Sequence, residues 1–152
     1  MGHQPQQTET RAPKIYIIDA GLASHLRDAD IATLSRPELA LGAEGPIVEG
    51  LVFAEILRQS GWSTRRHRLM HYRERNTVEV DLVVEDNRGR MVGIEVKAAI
   101  DVAPRDLRHL ITLRDRVGDR FSAGVLLHCG HDVLPLGDRL WAMPISTLWD
   151  PR

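Results

Sequence analysis

Three side chains that could act together on a metal ion or a phosphate lie in two neighbouring strand-like stretches. Asp81 belongs to an alternating stretch at residues 77–85, and Glu95 and Lys97 belong to a second stretch at residues 91–98. The Asp-Asn-Arg-Gly sequence at residues 86–89 has the composition of a turn. Because side chains alternate between the two faces of a strand, pairing through this turn would bring the two carboxylates and the ammonium together.

The same alternation predicts that each strand has one uniformly apolar face, and that these two faces lie on one side of the sheet. The predicted apolar faces consist of Val78, Val80, Leu82 and Val84, and of Val92, Ile94, Val96 and Ala98. The opposite faces would carry Glu79, Asp81, Val83 and Glu85, and Met91, Gly93, Glu95 and Lys97. Glu79 is therefore a reserve ligand beside Asp81.

A predicted helix at residues 47–59 supplies a fourth carboxylate. Pro46 suits the first helical position, and Ser60-Gly61 is expected to end the helix. Glu49 and Glu55 are about 240° apart around such a helix, so only one of them should face the sheet. We choose Glu49, because it falls on the more apolar arc of the helix. The alternative is that Glu49 lies in the first turn and only complements the helix dipole.

Carboxylates and a lysine in this arrangement suit metal-dependent hydrolysis of a phosphodiester. Carboxylate oxygens are hard ligands for Mg²⁺ or Mn²⁺, and such an ion polarises the phosphate and lowers the pKa of an attacking water. The lysine could orient the water, act as a general base, or stabilise charge in the transition state. The sequence leaves these three roles open.

The order Glu49, then Asp81, then Glu95-Val96-Lys97 resembles the PD-(D/E)XK restriction-endonuclease-like superfamily and its resolvase-like branch. The resemblance implies a restriction-endonuclease-like core. It also implies a Mg²⁺- or Mn²⁺-dependent nuclease acting on DNA, with RNA not excluded, in which Asp81, Glu95 and Glu49 bind the metal and Lys97 assists. Resolvase-like relatives imply a homodimer.

A narrower resemblance covers nearly the whole chain from Lys14 onward. Four segments are similar to the uncharacterised domain that lies C-terminal to prokaryotic AAA-type ATPase modules: residues 14–22, 45–49, 79–81 and 94–97. The resemblance implies an ATPase module as a partner, since these residues contain no phosphate-binding loop of their own. Two positions depart from the family pattern: Gly50 replaces an Asn, and Tyr72 replaces a Trp before Arg73.

One dense basic stretch leads toward the candidate acids. It contains Arg65, Arg66, Arg68, Arg73 and Arg75, with His67, His71 and Tyr72 among them. Such a stretch could follow a nucleic-acid backbone. The alternative is a solvated edge strand that its charges protect from aggregation.

The order of predicted elements favours an α/β fold with a mixed central sheet flanked by helices. The chain of 152 residues is 43% hydrophobic, which predicts one domain at residues 13–152 behind a tail at residues 1–12 that is disordered or was added for expression. The formal net charge of −1 excludes attraction of nucleic acid by bulk charge. The single cysteine and the absence of an apolar run of ~20 residues predict a cytoplasmic protein without a membrane span.

Three classes of function follow. The first is a metal-dependent nuclease. The second is a catalytically inactive nucleic-acid-binding or regulatory domain of an ATPase. The third is a protein-interaction or dimerisation domain that binds neither metal nor nucleic acid.

Overall fold

A computed structural model describes residues 14–29, 45–74 and 77–150 of the chain. The described residues form a mixed α/β fold in which a six-stranded sheet lies between helices, as the sequence predicts. The helices are α1 (Ala20–Leu26), α2 (Gly45–Trp62) and α3 (Arg108–Val117). The strands are β1 (His67–Glu74), β2 (Val78–Asp86), β3 (Met91–Lys97), β4 (Phe121–His128), β5 (Leu134–Gly137) and β6 (Leu140–Pro144). Short 3-10 helices occupy Pro104–Leu107, Gly118–Arg120 and Ile145–Leu148.

The strands are arranged in the order β1-β2-β3-β4-β6-β5. The first three form an antiparallel meander, and the predicted β2–β3 hairpin closes through the turn at residues 87–90. Helix α3 then carries the chain to β4, which pairs in parallel with β3 and with β6. This order leaves β1, with its arginines, at one edge of the sheet.

The sheet is packed on both faces, and each face has its own hydrophobic cluster. On one face α2 contributes Val52, which packs with Leu82, Ile94 and Leu127. On the other face α3 contributes Leu110 and Leu113 to a larger cluster around Phe121. The second contact is close, because a Cβ at Gly93 would lie 2.9 Å from the side chains of Leu110 and Leu113. A residue larger than glycine would therefore push α3 away from β3.

The prediction that β2 alternates along its whole length is wrong. Val80 and Val83 face the α3 cluster, whereas Leu82 and Val84 face the α2 cluster. Met70 pairs with Val83 and Tyr72 with Val80, so two β2 residues stand opposite one residue of β1. This β-bulge shifts the alternation by one residue at Asp81 and Leu82. Because both faces of the strand are buried, the sequence pattern could not reveal the shift.

Other differences concern ends of elements. Helix α2 continues through Ser60 and Gly61, because the Ser60 hydroxyl bonds to the carbonyl of Ile56 and to the ring of His67. Its first turn, which begins at Gly45, holds no acidic residue, so Glu49 is not a first-turn helix-dipole partner. Residues 15–18 belong to no strand of the sheet, and Ile15 is 85% exposed. The described part of the chain has no helix that could cross a membrane.

Candidate functional site

The β-bulge in β2 fixes the position of Asp81. The ladder between β2 and β3 extends to the pair Leu82 and Ile94. Beyond that pair, a side chain takes the place of a backbone acceptor in the ladder. The Oδ2 atom of Asp81 accepts a hydrogen bond of 3.0 Å from the backbone N–H of Val96. The other oxygen, Oδ1, remains free to bind a cation.

That cation in this structure is the ammonium of Lys14. Its Nζ lies 2.8 Å from Oδ1 of Asp81 and 3.2 Å from Oε1 of Glu79, and it also contacts Oε1 of Glu49. Glu49 comes from α2, and Glu79 and Asp81 come from β2. One ammonium therefore joins three carboxylates from two elements.

Tyr16 holds the chain segment that carries Lys14 against α2. Its ring stacks on Phe53 with centroids 4.5 Å apart, and its hydroxyl donates a hydrogen bond of 2.5 Å to Oε1 of Glu49. Burial and this hydrogen bond raise the pKa of Tyr16. Asp19, three residues further on, caps α1 by accepting a hydrogen bond from the N–H of Leu22, as its position before a helical segment predicts.

The electrostatics of Lys14 reflect its acidic surroundings. Burial by itself lowers the pKa of a lysine, since it disfavours the charged form. Here the hydrogen bonds and negative charges of Asp81 and Glu49 outweigh burial, and the pKa of Lys14 lies above its usual range. The ammonium is therefore permanently charged at neutral pH.

Glu95 lies beside Asp81 at the same end of the sheet. Only 6% of Glu95 is exposed, and its Oε1 has no hydrogen-bond partner within the described residues. Burial raises its pKa well above the usual range, and the charge of Asp81, together with a hydrogen bond between the two carboxyl groups, raises it further. Nδ1 of His109, on α3, lies 3.5 Å from Oε1. Glu95 is thus a buried carboxyl without a full partner.

Lys97 is on the same strand face as Glu95, but its ammonium points to a different acid. Its Nζ lies 3.4 Å from Oδ1 of Asp106, which precedes α3. Glu55 is also away from the site: it is buried and pairs with Arg58 and Gln59 within α2. Of the two glutamates considered for the helix, Glu49 is the one that reaches Asp81 through a shared cation.

Sequence reasoning did not single out Lys14, Tyr16 or His109. Lys14 and Lys97 are the only two lysines of a chain rich in arginine, and both bind acids at this end of the sheet. That rarity was a signal, but Lys14 is 67 residues from Asp81 in sequence. No local pattern could have shown that the two meet.

The basic stretch is divided between two places. Arg73 lies near the acids, with its Nε 3.7 Å from Oε2 of Glu79. Arg65, Arg66 and Arg68 lie at the opposite end of β1, beside the β2–β3 turn. Arg75 falls outside the described residues.

A cleft of about 610 Å³ opens at this opposite end, between the α2–β1 connection and the β2–β3 turn. Arg65 and Arg66 line it, and neither guanidinium has an acidic partner among the residues that the structure describes. Arg68 differs, because it forms an ion pair of 2.7 Å with Glu85. The cleft therefore presents two positive charges that no acid of the described residues neutralises.

The acids are not grouped as a finished metal centre. Among residues 14–29, 45–74 and 77–150 there is no set of three or more His, Cys, Asp or Glu side chains arranged to hold a metal ion. The ammonium of Lys14 stands between the carboxylates of Glu49 and Asp81 instead.

Comparison with protein families shows which family the chain belongs to. A family model described as a domain of unknown function, DUF4143, matches residues 44–148, which is more than half of the chain. The chain belongs to this family. Domains of the family are associated with the C-termini of AAA ATPases. Glu49, Asp81 and Glu95 lie inside the matched span, and Lys14 lies before it. No curated protein matches the chain significantly.

Proposed function

We propose that this domain is a Mg²⁺- or Mn²⁺-dependent phosphodiesterase that cuts DNA. One observation carries the proposal: Glu49 and Asp81 converge on a single cation beside the buried carboxyl of Glu95, whose Oε1 accepts no hydrogen bond from the described residues and has only the ring of His109 nearby, at 3.5 Å. A buried polar atom without a partner is rare in native proteins and points to a missing ligand. The order of these acids in the sequence resembles that of PD-(D/E)XK nucleases, and the mixed α/β class of the fold is compatible with that resemblance.

The donors fit a hard divalent ion in their chemistry. Glu49, Asp81 and Glu95 offer carboxylate oxygens, which Mg²⁺ and Mn²⁺ prefer, and no thiolate is among them. The pKa of Glu95 is raised because the carboxyl is buried beside a second acid, and a bound cation would favour its charged form. An ion bound there would polarise a phosphodiester and lower the pKa of an attacking water.

The chain's own residues have separate tasks in this proposal. Asp81 is fixed by the N–H of Val96, so its free oxygen keeps one direction. Lys97, held by Asp106, lies on the same strand face as Glu95, where its charge can stabilise a phosphate oxygen or orient a water. Arg73, next to Glu79, is placed to bind a neighbouring phosphate.

The arginine cleft favours a long polyanion as substrate. About 16 Å of strand separates Asp81 from Asp86 at a rise of ~3.3 Å per residue. A nucleic-acid backbone spans that distance within a few nucleotides, so one strand could contact the acids and the unpaired Arg65 and Arg66 together. In longer members of the family, an attached ATPase module would act with this domain on the same nucleic acid.

The test compares two aspartates of β2. Mn²⁺ binding is measured by calorimetry on the wild type, Asp81→Asn and Asp86→Asn, and cleavage of plasmid and oligonucleotide DNA is assayed with Mg²⁺ or Mn²⁺. Asp81→Asn should lose metal binding and cut DNA at least a hundredfold more slowly, on the order of the effect of removing one key catalytic group. Asp86→Asn, at the β2–β3 turn, should keep both.

Cleavage that survives Asp81→Asn would reject the assignment, as would wild-type protein that binds no Mn²⁺ either alone or with DNA. The combination with DNA is needed because such ions can take part of their coordination from substrate phosphates.

One observation favours a second function, a catalytically inactive nucleic-acid-binding or regulatory domain of an ATPase. The three carboxylates around Lys14 are already bound to a cation, and no finished metal set occurs among the described residues. This alternative expects DNA binding that depends on Arg65 and Arg66 and is the same with or without Mn²⁺. Metal-stimulated cleavage would exclude it.

A further inference from the structure

Lys14 occupies the position between the acids that a metal ion would need. Its ammonium contacts Glu49, Asp81 and Glu79, and only 23% of its side chain is exposed. A cation that binds Glu49 and Asp81 together therefore meets another cation there. Two positive charges that contact the same carboxylates in a partly buried site repel each other strongly.

The segment that carries Lys14 is held by few contacts. Ile15, Ile17 and Ile18 are exposed, and residues 14–18 pair with no strand. Tyr16 provides the anchor through its stacking on Phe53 and its hydrogen bond to Glu49. A segment with so little buried surface can separate from the body of the domain at a small cost in free energy. The ammonium is thus a tethered ligand that can leave the acids.

We propose that Lys14 is an intrinsic competitor for the metal: it holds Glu49 and Asp81 in the metal-free domain, and a divalent cation binds there by displacing it. The inference rests on the proposed metal site. It explains why the acids converge although they form no finished metal centre, since the ammonium substitutes for the ion. In this proposal Lys14 is a positioning residue, because it holds the carboxylates of Glu49 and Asp81 in place and does not contact the substrate.

The first measurement is Mn²⁺ affinity by calorimetry on the full chain. Lys14→Met keeps most of the aliphatic stem and removes the charge, so it should bind Mn²⁺ roughly tenfold more tightly or better, because charged hydrogen bonds to two carboxylates no longer compete. Lys14→Arg keeps the charge and should stay near the wild type. Arg90→Met makes the same change of net charge at the β2–β3 turn, where Arg90 binds Asp86, and should leave the affinity unchanged.

The second measurement needs no substitution at Lys14. Trypsin cleaves after lysine, and the bond between Lys14 and Ile15 should be protected while the ammonium is bound to the acids. Adding Mn²⁺ should therefore speed cleavage after Lys14 in a saturable way, as followed by intact mass. In Asp81→Asn the rate should not respond to Mn²⁺. A lysine with only a structural role would not give this response.

The outcomes separate the two proposals. Tighter binding by Lys14→Met, or Mn²⁺-dependent cleavage after Lys14, supports competition. Equal or weaker binding by a folded Lys14→Met, with unchanged cleavage after Lys14, overturns the competition and leaves the metal site intact. If neither the wild type nor Lys14→Met binds Mn²⁺, the metal site itself is rejected and the competition with it.

Discussion

The acidic side chains at the two ends of strand β2 differ in how fully they are paired with cations and hydrogen-bond donors. At the turn end, Glu85 pairs with Arg68, and Asp86 accepts hydrogen bonds from the N–H of Arg88 and of Arg90 and from the guanidinium of Arg90. At the bulge end, Glu49, Glu79 and Asp81 share the ammonium of Lys14, with Arg73 also near Glu79, and Oε1 of Glu95 has no hydrogen bond among the described residues. One end satisfies its acids, and the other has more carboxylates than cations.

This difference distinguishes structural acids from candidate functional ones. Acids that serve stability are paired and hydrogen-bonded, as at the turn, because a buried carboxylate without a partner lowers stability. A surplus of carboxylates persists in a fold when something outside the chain uses it. The turn end has the reverse surplus, with Arg65 and Arg66 free of acidic partners among the described residues. A metal cation would neutralise the excess negative charge at the bulge end, and a polyanion that runs along the strand would neutralise the excess positive charge at the turn end.

Two buried glutamates give the largest expected effect on stability. Glu85 and Glu95 are 8% and 6% exposed, but Glu85 has Arg68 as a close partner, whereas Oε1 of Glu95 has no hydrogen bond among the described residues. Glu95→Gln should raise the free energy of unfolding of the metal-free domain by about 2 kcal/mol at pH 8, since the buried Glu95 carboxyl must take up a proton on folding and glutamine need not. Glu85→Gln should lower it by about 1 kcal/mol. Denaturant unfolding in metal-free buffer measures both.

The comparison would fail if the two substitutions changed stability in the same direction. Metal binding provides the internal control, because Glu95→Gln should lose Mn²⁺ affinity while Glu85→Gln keeps it. A stabilised variant that no longer binds the ion would show that Glu95 is retained for a reason other than the fold.

The β2–β3 hairpin, which puts Asp81 and Glu95 on neighbouring strands, could be predicted because its cause is local. The turn at residues 86–89 and the alternation of β3 set the pairing, and pairing brings facing side chains together. The bulge at Asp81 and Leu82 could not be predicted, since Val78, Val80, Leu82 and Val84 keep the alternation and the continuous apolar run at residues 82–84 only indicates burial on both faces.

The parts of the site that sequence reasoning missed are all long-range. Lys14 reaches Asp81 and Glu49 from a segment outside the sheet, and His109 reaches Glu95 from α3. Neither contact follows from spacing along the chain. Strand β5 was missed for another reason: it is only four residues long and contains a proline and a glycine, which disfavour strands.

The two ends should also show opposite pH dependence. The pKa of Glu95 is raised in the folded state, so the folded protein binds more protons than the unfolded chain between its usual pKa and the raised value. Stability of the metal-free domain should therefore fall by up to about 1 kcal/mol per pH unit as pH rises from 6 to 8. The pKa of Asp86 is lowered, first by the N–H of Arg90 and then by its guanidinium. Its contribution is present at neutral pH and is lost as pH falls below about 4.

Denaturant unfolding measured from pH 3 to pH 8 tests whether Glu95 causes the loss of stability at high pH and Asp86 contributes to the loss at low pH. Glu95→Gln should reduce the loss of stability between pH 6 and pH 8 and leave the loss below about pH 4 unchanged. Asp86→Asn should reduce the loss below about pH 4 and leave the loss between pH 6 and pH 8 unchanged. Loss of the high-pH fall in Asp86→Asn would contradict the assignment.

The smallest expected effect concerns the surplus of positive charge at the turn end. Arg65→Ala with Arg66→Ala should weaken binding of a DNA duplex about tenfold at moderate salt and reduce the slope of log affinity against log salt by nearly two, because each arginine releases about one counterion from the phosphates it contacts. Fluorescence anisotropy without divalent metal measures binding alone. Arg114→Ala, whose guanidinium pairs with Asp115 on α3, is the matched control and should change neither value. An unchanged salt slope in the double variant would mean that DNA does not reach the cleft, and the two ends of β2 would then serve separate partners.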